Sequence, residues 1–316
     1  QFKFRTAPAH GAVSMKISRT QNMSITASLV KELRDRSGAG MMECKKALTV
    51  NDGDIDAAIE LMRKSGQAKA AKKASRVAAE GLVVIRLSDD GKQAAMVEVN
   101  CETDFVAKDA NFSSFADAVT ERVLETDVTD VAELVQQPLH KGEDTTIETA
   151  REALVAKIGE NMTVRRFVRI ATSGTIGAYR HGTRIGVLVD MEGGDVDLAK
   201  DVAMHIAATN PLCVSADEVP AEKLEKEREI FRAQAAESGK PDNIVEKIIE
   251  GRVRKYLEEV TLLGQPFVKD PDTSVAKLLE KAGAKVVGFH RFEVGEGIEK
   301  KQEDFAAEVM AQARGG

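Results

Sequence analysis

The sequence predicts an α+β protein: a helical N-terminal module, two tandem α+β subdomains with antiparallel sheets, an inserted helical hairpin and a C-terminal helix. Three observations carry that class. Apolar residues recur at helical spacing from Leu29 to Met62. The period then switches to that of strands in two blocks, 82–99 and 164–191. A charge-rich helical stretch over 216–260 interrupts the second block before one more strand, 285–294. At roughly 100–200 residues per domain, 316 residues make about two domains with smaller modules attached.

Residues 1–24 stand apart, with Lys3, Arg5, Lys16 and Arg19 and no acid. They are expected to be a disordered leader or a misassigned start, with Met23 as first residue, rather than an organelle transit peptide. Residues 25–79 read as a helical module and a linker helix. Leu29, Val30 and Leu33 mark one apolar face, and Ser37-Gly38-Ala39-Gly40 stops that helix. Met41, Cys44, Ala47 and Leu48 give a second face. After the Asn51-Asp52-Gly53 turn, Asp54 caps a third helix bearing Ile55, Ala58, Ile59 and Met62. Residues 67–80, with Lys69, Lys72, Lys73 and Arg76, read as a solvated connecting helix.

Core subdomain N is assigned to 80–160. Leu82-Val83-Val84-Ile85 and 94–99 form a hairpin about Ser88-Asp89-Asp90-Gly91. Phe112, Phe115, Ala116, Val119 and Val123 then line one side of a helix, and more helix is expected over 129–136 and 146–158. Core subdomain C is assigned to 161–215 and 261–298, with strands at 164–171, 174–179 and 185–191 and a helix over 196–209. Val106-Ala107-Lys108-Asp109 and Leu198-Ala199-Lys200-Asp201 match at what reads as the same strand-to-helix junction, so the two blocks read as one unit used twice. The hairpin occupies 216–260: two charged helices, each with a narrow apolar stripe, are separated by Ser238-Gly239-Lys240-Pro241. Such a stripe suits a protruding coiled coil whose free edge pairs with a second copy or a partner. Residues 299–316 form the C-terminal module, with Phe305, Ala306, Val309 and Met310 on one helix face.

Composition narrows the function. With 43% apolar and 30% charged residues the chain is a folded, charge-rich protein. A net charge of -6 and 11 Phe, 2 Tyr and no Trp argue against direct nucleic-acid binding. No apolar run reaches the roughly 18 residues of a membrane span. Cys44, Cys101 and Cys213 are scattered, as are the five His, which fits reduced thiols in a cytoplasmic setting and no metal site. There is no phosphate loop, no dinucleotide fingerprint and no nucleophile elbow, so no cofactor and no catalytic residue is assigned.

The informative stretch is Asn100-Cys101-Glu102-Thr103-Asp104-Phe105-Val106-Ala107-Lys108-Asp109. A strand ends, Thr103-Asp104 offer capping oxygens, and Phe105 falls on the first helical turn. On residue chemistry alone Phe105 either folds back into the core as a hydrophobic staple, the blander reading, or projects as an interaction wedge. Two other readings stand beside the wedge: a simple binding scaffold, and an enzyme acting through Cys101 or Cys44.

Several long segments carry a family resemblance covering about Ile25 to Ala313. They include 25–34, Gly38-Ala39-Gly40-Met41-Met42-Glu43-Cys44, 98–108, His181-Gly182-Thr183-Arg184-Ile185-Gly186, Gly264-Gln265-Pro266-Phe267-Val268 and 291–299. The chain resembles the elongation factor Ts family, guanine-nucleotide exchange factors for elongation factor Tu. The resemblance implies that the N-terminal module is ubiquitin-associated-like and the hairpin a coiled coil. It implies that elongation factor Tu, which holds the GDP and magnesium, is the partner. It places Asp104 and Phe105 against the partner's magnesium and switch region, and Lys31, Arg34, Met41 and Met42 on a helix of its nucleotide domain. His181 would meet a distal β domain, and Val309 and Met310 would brace the nucleotide domain. A homodimer or a 2:2 complex is open to such a protein.

Overall fold

A computed structural model of the chain describes residues 25–236 and 241–299. The leader and the expected C-terminal helix with Val309 and Met310 lie outside the described residues. The chain divides between Lys64 and Ser65 into two units.

The first unit holds α1 (Ala27–Ser37), α2 (Met41–Val50) and the start of α3 (Ile55–Lys73). Thr26 caps α1 by accepting a hydrogen bond from the Leu29 amide. Gly38, at φ 66°, ends the helix, and its N–H donates to the Arg34 carbonyl. Only a residue without Cβ takes that left-handed conformation at no steric cost. Asp54 caps α3 by accepting from Ala57. Val30, Leu33, Cys44, Ala47, Leu48 and Ala58 are buried together. Met41, expected on that apolar face, is exposed instead: as the first residue of α2 it sits at the helix end, with no preceding turn to cover it.

The second unit opens with the rest of α3, which stops at Lys73 rather than running to residue 80. Its Ala70 is buried in the first core, so this stretch is not wholly solvated. There follow β1 (Glu80–Leu87), β2 (Gln93–Cys101), α4 (Asp104–Ala107), α5 (Ala110–Glu125), α6 (Val131–Leu134), α7 (Ile147–Ile158) and β3 (Met162–Ala171). A second series comprises β4 (Thr175–His181), β5 (Ile185–Glu192), α8 (Val196–Thr209), α9 (Ala221–Ala236), α10 (Asp242–Val260), β6 (Pro266–Phe267), β7 (Asp270–Ser274), α11 (Val275–Lys281) and β8 (Lys285–Glu293).

The fold is α+β, and its pairings are antiparallel throughout the two three-stranded sheets, ordered β1-β2-β3 and β4-β5-β8. This corrects one boundary. Residues 162–171, expected to open the second subdomain, complete the first sheet, pairing Val97 with Phe167 and Cys101 with Met162. The repeat is thereby closer than the sequence suggests: each half is a hairpin, a helix and a third strand returning beside the second. The matched tetrapeptides are not its equivalent points. Asp109 caps α5, whereas Asp201 lies inside α8, whose cap is Asp195.

Strand alternation builds four layers. Leu82, Val84, Ala95, Val97 and Val99 face α5 and α7. Val187, Val189, Met191 and Val286 face α8 and α11. The opposite faces meet back to back through Val83, Met96, Ile176, Leu188 and Phe292. Gly186 permits this contact, since a Cβ there would stand 2.5 Å from Val83 Cγ1. Glu98 is fully buried behind the first sheet. It accepts from Arg165 (2.9 Å), Arg166 (2.6 Å) and the Gly295 amide (2.8 Å), tying the first sheet to the turn after β8. Burial pushes its carboxyl up, but the Gly295 amide and the two guanidinium groups outweigh it and hold it below the usual carboxylate range.

Helices α9 and α10 pack antiparallel: Phe231 meets Tyr256 edge-on at 6.5 Å, and Arg252 donates to Gln234 at 2.6 Å. Their outer ends join the body side by side, where Cys213 bridges Thr261 and the Leu212 amide donates to the Val260 carbonyl at 2.7 Å.

Candidate partner-binding site

The end of β2 and the one-turn helix α4 form the site. Four residues make a helix too short to persist alone, because nucleation fixes several dihedrals for a single hydrogen bond. Its order comes from its surroundings. Val106 is buried in the first core, and Ala107 packs against it. Thr103 is the cap: its Oγ1 accepts from the Val106 amide, and its carbonyl accepts from Ala107. Six residues on, Asp109 caps α5 by accepting from Asn111 (2.8 Å) and Phe112 (3.3 Å). Two caps this close force a short helix, a break and a new helix.

With Val106 turned inward, the first two helical positions face out. Phe105 is 80% exposed, against the staple expected from residue chemistry alone. Its neighbour Asp104 pairs with Lys108 at 2.7 Å. The hydrogen bond from Lys108 holds the Asp104 carboxyl below its ordinary value, so it is an anion at neutral pH. The site therefore presents a bare aromatic ring beside an exposed ion pair.

The segment at the end of α7 holds the strand end in place. Glu160 accepts from the Glu102 amide (3.2 Å), the Thr103 amide (3.0 Å) and the Thr103 hydroxyl (2.7 Å). In return Glu102 accepts from the Asn161 amide at 2.6 Å and meets Arg76 at 3.5 Å. Asn161 itself donates to the Arg76 carbonyl at 2.8 Å. Sequence reasoning missed Glu160 and Asn161. They lie in a polar turn with no periodic pattern, far along the chain from Thr103, and nothing local marks them.

Cys101, beneath the site, is buried and donates to the Thr103 carbonyl. Burial, reinforced by the carboxylates of Glu160 and Glu80, pushes its thiol up to about 12. A thiol buried and held that far above neutrality is poorly suited to act as a nucleophile. Cys44 is buried in the first unit. Among the described residues no three His, Cys, Asp or Glu side chains group as a metal site. No described helix is long and apolar enough to cross a membrane.

The remaining predicted residues fall in two places. Lys31 and Arg34 lie exposed one turn apart on α1. Met41 (48% exposed) and Met42 (78%) open α2. His181 ends β4, exposed, with Nδ1 3.4 Å from the Tyr179 hydroxyl. The hairpin that carries it reaches the first sheet: the Val83 amide donates to the Thr183 carbonyl, and Arg184 pairs with Glu80 at 2.6 Å. Glu80 stands opposite Cys101, so His181 lies toward the end of the first sheet from which α4 springs.

Comparison with known proteins is extensive. The family model described as "Elongation factor TS" matches residues 102–296. A protein of Thioalkalivibrio sulfidiphilus named "Elongation factor Ts" is 65% identical over 295 residues, covering 93% of this chain and all of the relative. One of Methylococcus capsulatus with the same name is 60% identical, covering 92% of this chain and 99% of the relative. One of Legionella pneumophila, also so named, is 56% identical with the same coverage.

Proposed function

The chain belongs to the elongation factor Ts family of translation elongation factors, and from that membership we propose that it binds the GDP form of elongation factor Tu and promotes release of GDP and its exchange for GTP. It holds no nucleotide itself. The observation that carries this reading is Phe105, an 80% exposed ring on a one-turn helix whose cap is clamped from outside. A ring this exposed, set on a braced backbone, is suited to enter another protein. Burying it there contributes about 2–3 kcal/mol.

The proposed mechanism is displacement. Phe105 inserts between partner side chains near the magnesium and switch region. Asp104, whose pair with Lys108 is exposed and stabilises little, exchanges that cation for a group on the partner. The shift loosens the metal and the phosphate-binding loop, and GDP leaves. The thermodynamics are those of linkage: the factor binds nucleotide-free partner more tightly than GDP-bound partner, so factor and nucleotide weaken each other equally. Equal affinity for both states would shift nothing. No bond chemistry occurs, so the protein acts as an exchange factor and not as an enzyme.

The same reading assigns the other contacts. Lys31, Arg34, Met41 and Met42 grip a helix of the partner's nucleotide domain, where flexible methionines adapt to the surface. His181 meets a distal β domain, and the C-terminal segment with Val309 and Met310 braces the nucleotide domain. The N-terminal module is ubiquitin-associated-like, α9 and α10 form a coiled coil available for a homodimer or a 2:2 complex, and the protein works in the cytoplasm without direct nucleic-acid contact.

The test is GDP release from elongation factor Tu, followed with a fluorescent nucleotide, with and without this protein and its Phe105→Ala variant. Strong acceleration that falls at least about tenfold with Phe105→Ala is expected. Acceleration unchanged by the substitution would remove Phe105 from the mechanism. No acceleration by folded protein would overturn exchange and leave a binding scaffold.

A further inference from the structure

We propose that Glu160 is a positioning residue for exchange: its carboxylate fixes the cap of α4 and thereby the direction in which Phe105 projects, an inference that rests on the wedge reading of Phe105. The ring is 80% exposed and so has almost no packing of its own to hold it. Its aim is set by the backbone of α4, and a single turn does not hold its own shape. What holds it must therefore lie outside the helix.

Glu160 meets that need with both oxygens. One takes the amides of Glu102 and Thr103, at 3.2 and 3.0 Å, and the other takes the Thr103 hydroxyl at 2.7 Å. Hydrogen bonds to an ionised acceptor are the stronger kind. The third has a further effect. A threonine hydroxyl has one hydrogen, and here it is given to Glu160. Only lone pairs remain, and one accepts the Val106 amide at the head of α4. Glu160 thus fixes the rotor of the cap so that it faces the helix as an acceptor. With the Thr103 carbonyl accepting from Ala107 and Cys101, every polar atom of Thr103 is engaged.

Glu160 is itself held. Gly159 ends α7 in the left-handed conformation at φ 95°, and its N–H donates to the Val155 carbonyl. The next residue after Glu160, Asn161, donates its amide to Glu102 and its side chain to the Arg76 carbonyl. The braces run both ways between the 101–103 and 159–161 segments. A misplacement of the ring by about an ångström is enough to cost a large factor in rate.

The experiment is a double-mutant cycle on full-length protein, Glu160→Ala against Phe105→Ala, reading the maximal rate of GDP release and the half-saturating concentration of elongation factor Tu·GDP. Glu160→Ala is expected to lower the maximal rate about tenfold while moving the half-saturating concentration by less than about threefold. In the Phe105→Ala background its effect is expected to shrink well below that, because only Asp104 is left on α4 to position. Glu160→Gln, whose single oxygen can accept either the two amides or the Thr103 hydroxyl but not all three, is expected to recover only part of the loss. Multiplicative losses in the double variant would overturn the proposal by showing that Glu160 acts elsewhere, as would full activity of Glu160→Ala beside an impaired Phe105→Ala. A silent Phe105→Ala would instead bring down the wedge reading itself. Should Glu160→Ala fail to fold, Thr103→Val, which removes the rotor and keeps the shape, takes its place in the cycle: a much smaller loss in the Phe105→Ala background supports the proposal, and multiplicative loss overturns it.

Discussion

The two halves of the core follow one plan and part company at one junction. In each, a hairpin runs into a helix, and a third strand returns beside the second. In the second half β5 passes through Gly193-Gly194 to the Asp195 cap and straight into the fourteen-residue α8. In the first half the chain makes the extra turn α4 before Asp109 restarts it as α5. That turn lifts Phe105 off the body and needs a brace from α7, whereas the second junction needs none. The difference shows where a repeat tolerates irregularity: the strands and long helices carry the core, and one added turn with an external clamp carries a contact.

The largest expected break is between the halves. Glu98→Ala leaves Arg165 and Arg166 facing a hole behind the first sheet and should cost about 3 kcal/mol, read from urea denaturation. A loss under about 1 kcal/mol would mean that the halves are held by their apolar contacts and the Val83–Thr183 and Arg184–Glu80 links, with Glu98 adding little. Next comes a pH asymmetry. In the second half His205 is fully buried; Nδ1 accepts from the Val268 amide, so Nε2 carries the proton and donates to Gln265. Burial, opposed in part by the Gln265 hydrogen bond, lowers its pKa below 6.5. The unfolded chain then binds the proton first, so stability is full above 6.5 and falls as pH drops below it, by up to about 1.4 kcal/mol per unit. His205→Gln should reduce the slope between pH 7 and 5.5, leaving the part due to His290, whose pKa partial burial also lowers; an unchanged slope would assign it to other groups.

Smaller effects sharpen the equivalence of the junctions. If Asp109 and Asp195 are matching caps, alanine at either should cost about 1 kcal/mol, and a clear inequality in thermal denaturation would break the alignment. Smallest of all is the effect of Phe105→Ala on stability, within about 0.5 kcal/mol, because the ring is 80% exposed. A large drop in melting temperature would show the ring to be part of the fold.

Much of this was legible in the residues. The α5 face of Phe112, Phe115, Ala116, Val119 and Val123 is buried as its spacing requires, because periodicity records which side of a helix avoids water. Allegiance between distant segments was not legible. Residues 162–171 read plainly as a strand, yet nothing in them names β2 as the neighbour, since pairing depends on where α5 and α7 return the chain. The two-residue β6 was too short to show a period. At the candidate site, Thr103 announced a cap, while Phe105 taken alone suggested core. Its exposure follows from Val106 occupying the inward position, a choice made by the whole turn.

The closed base of the α9–α10 insertion bears on how the second sheet assembles. The penalty for bringing two strands together grows with the length of free chain between them. Because Cys213 and Thr261 sit side by side, once the two helices have zipped β5 and β8 are separated by a tether that leaves out the whole contour of the insertion. The insertion therefore puts little topological strain on the sheet it interrupts, and turns can be added to or removed from α9 and α10 in matched numbers while the body still reaches its native pairing at nearly the same speed.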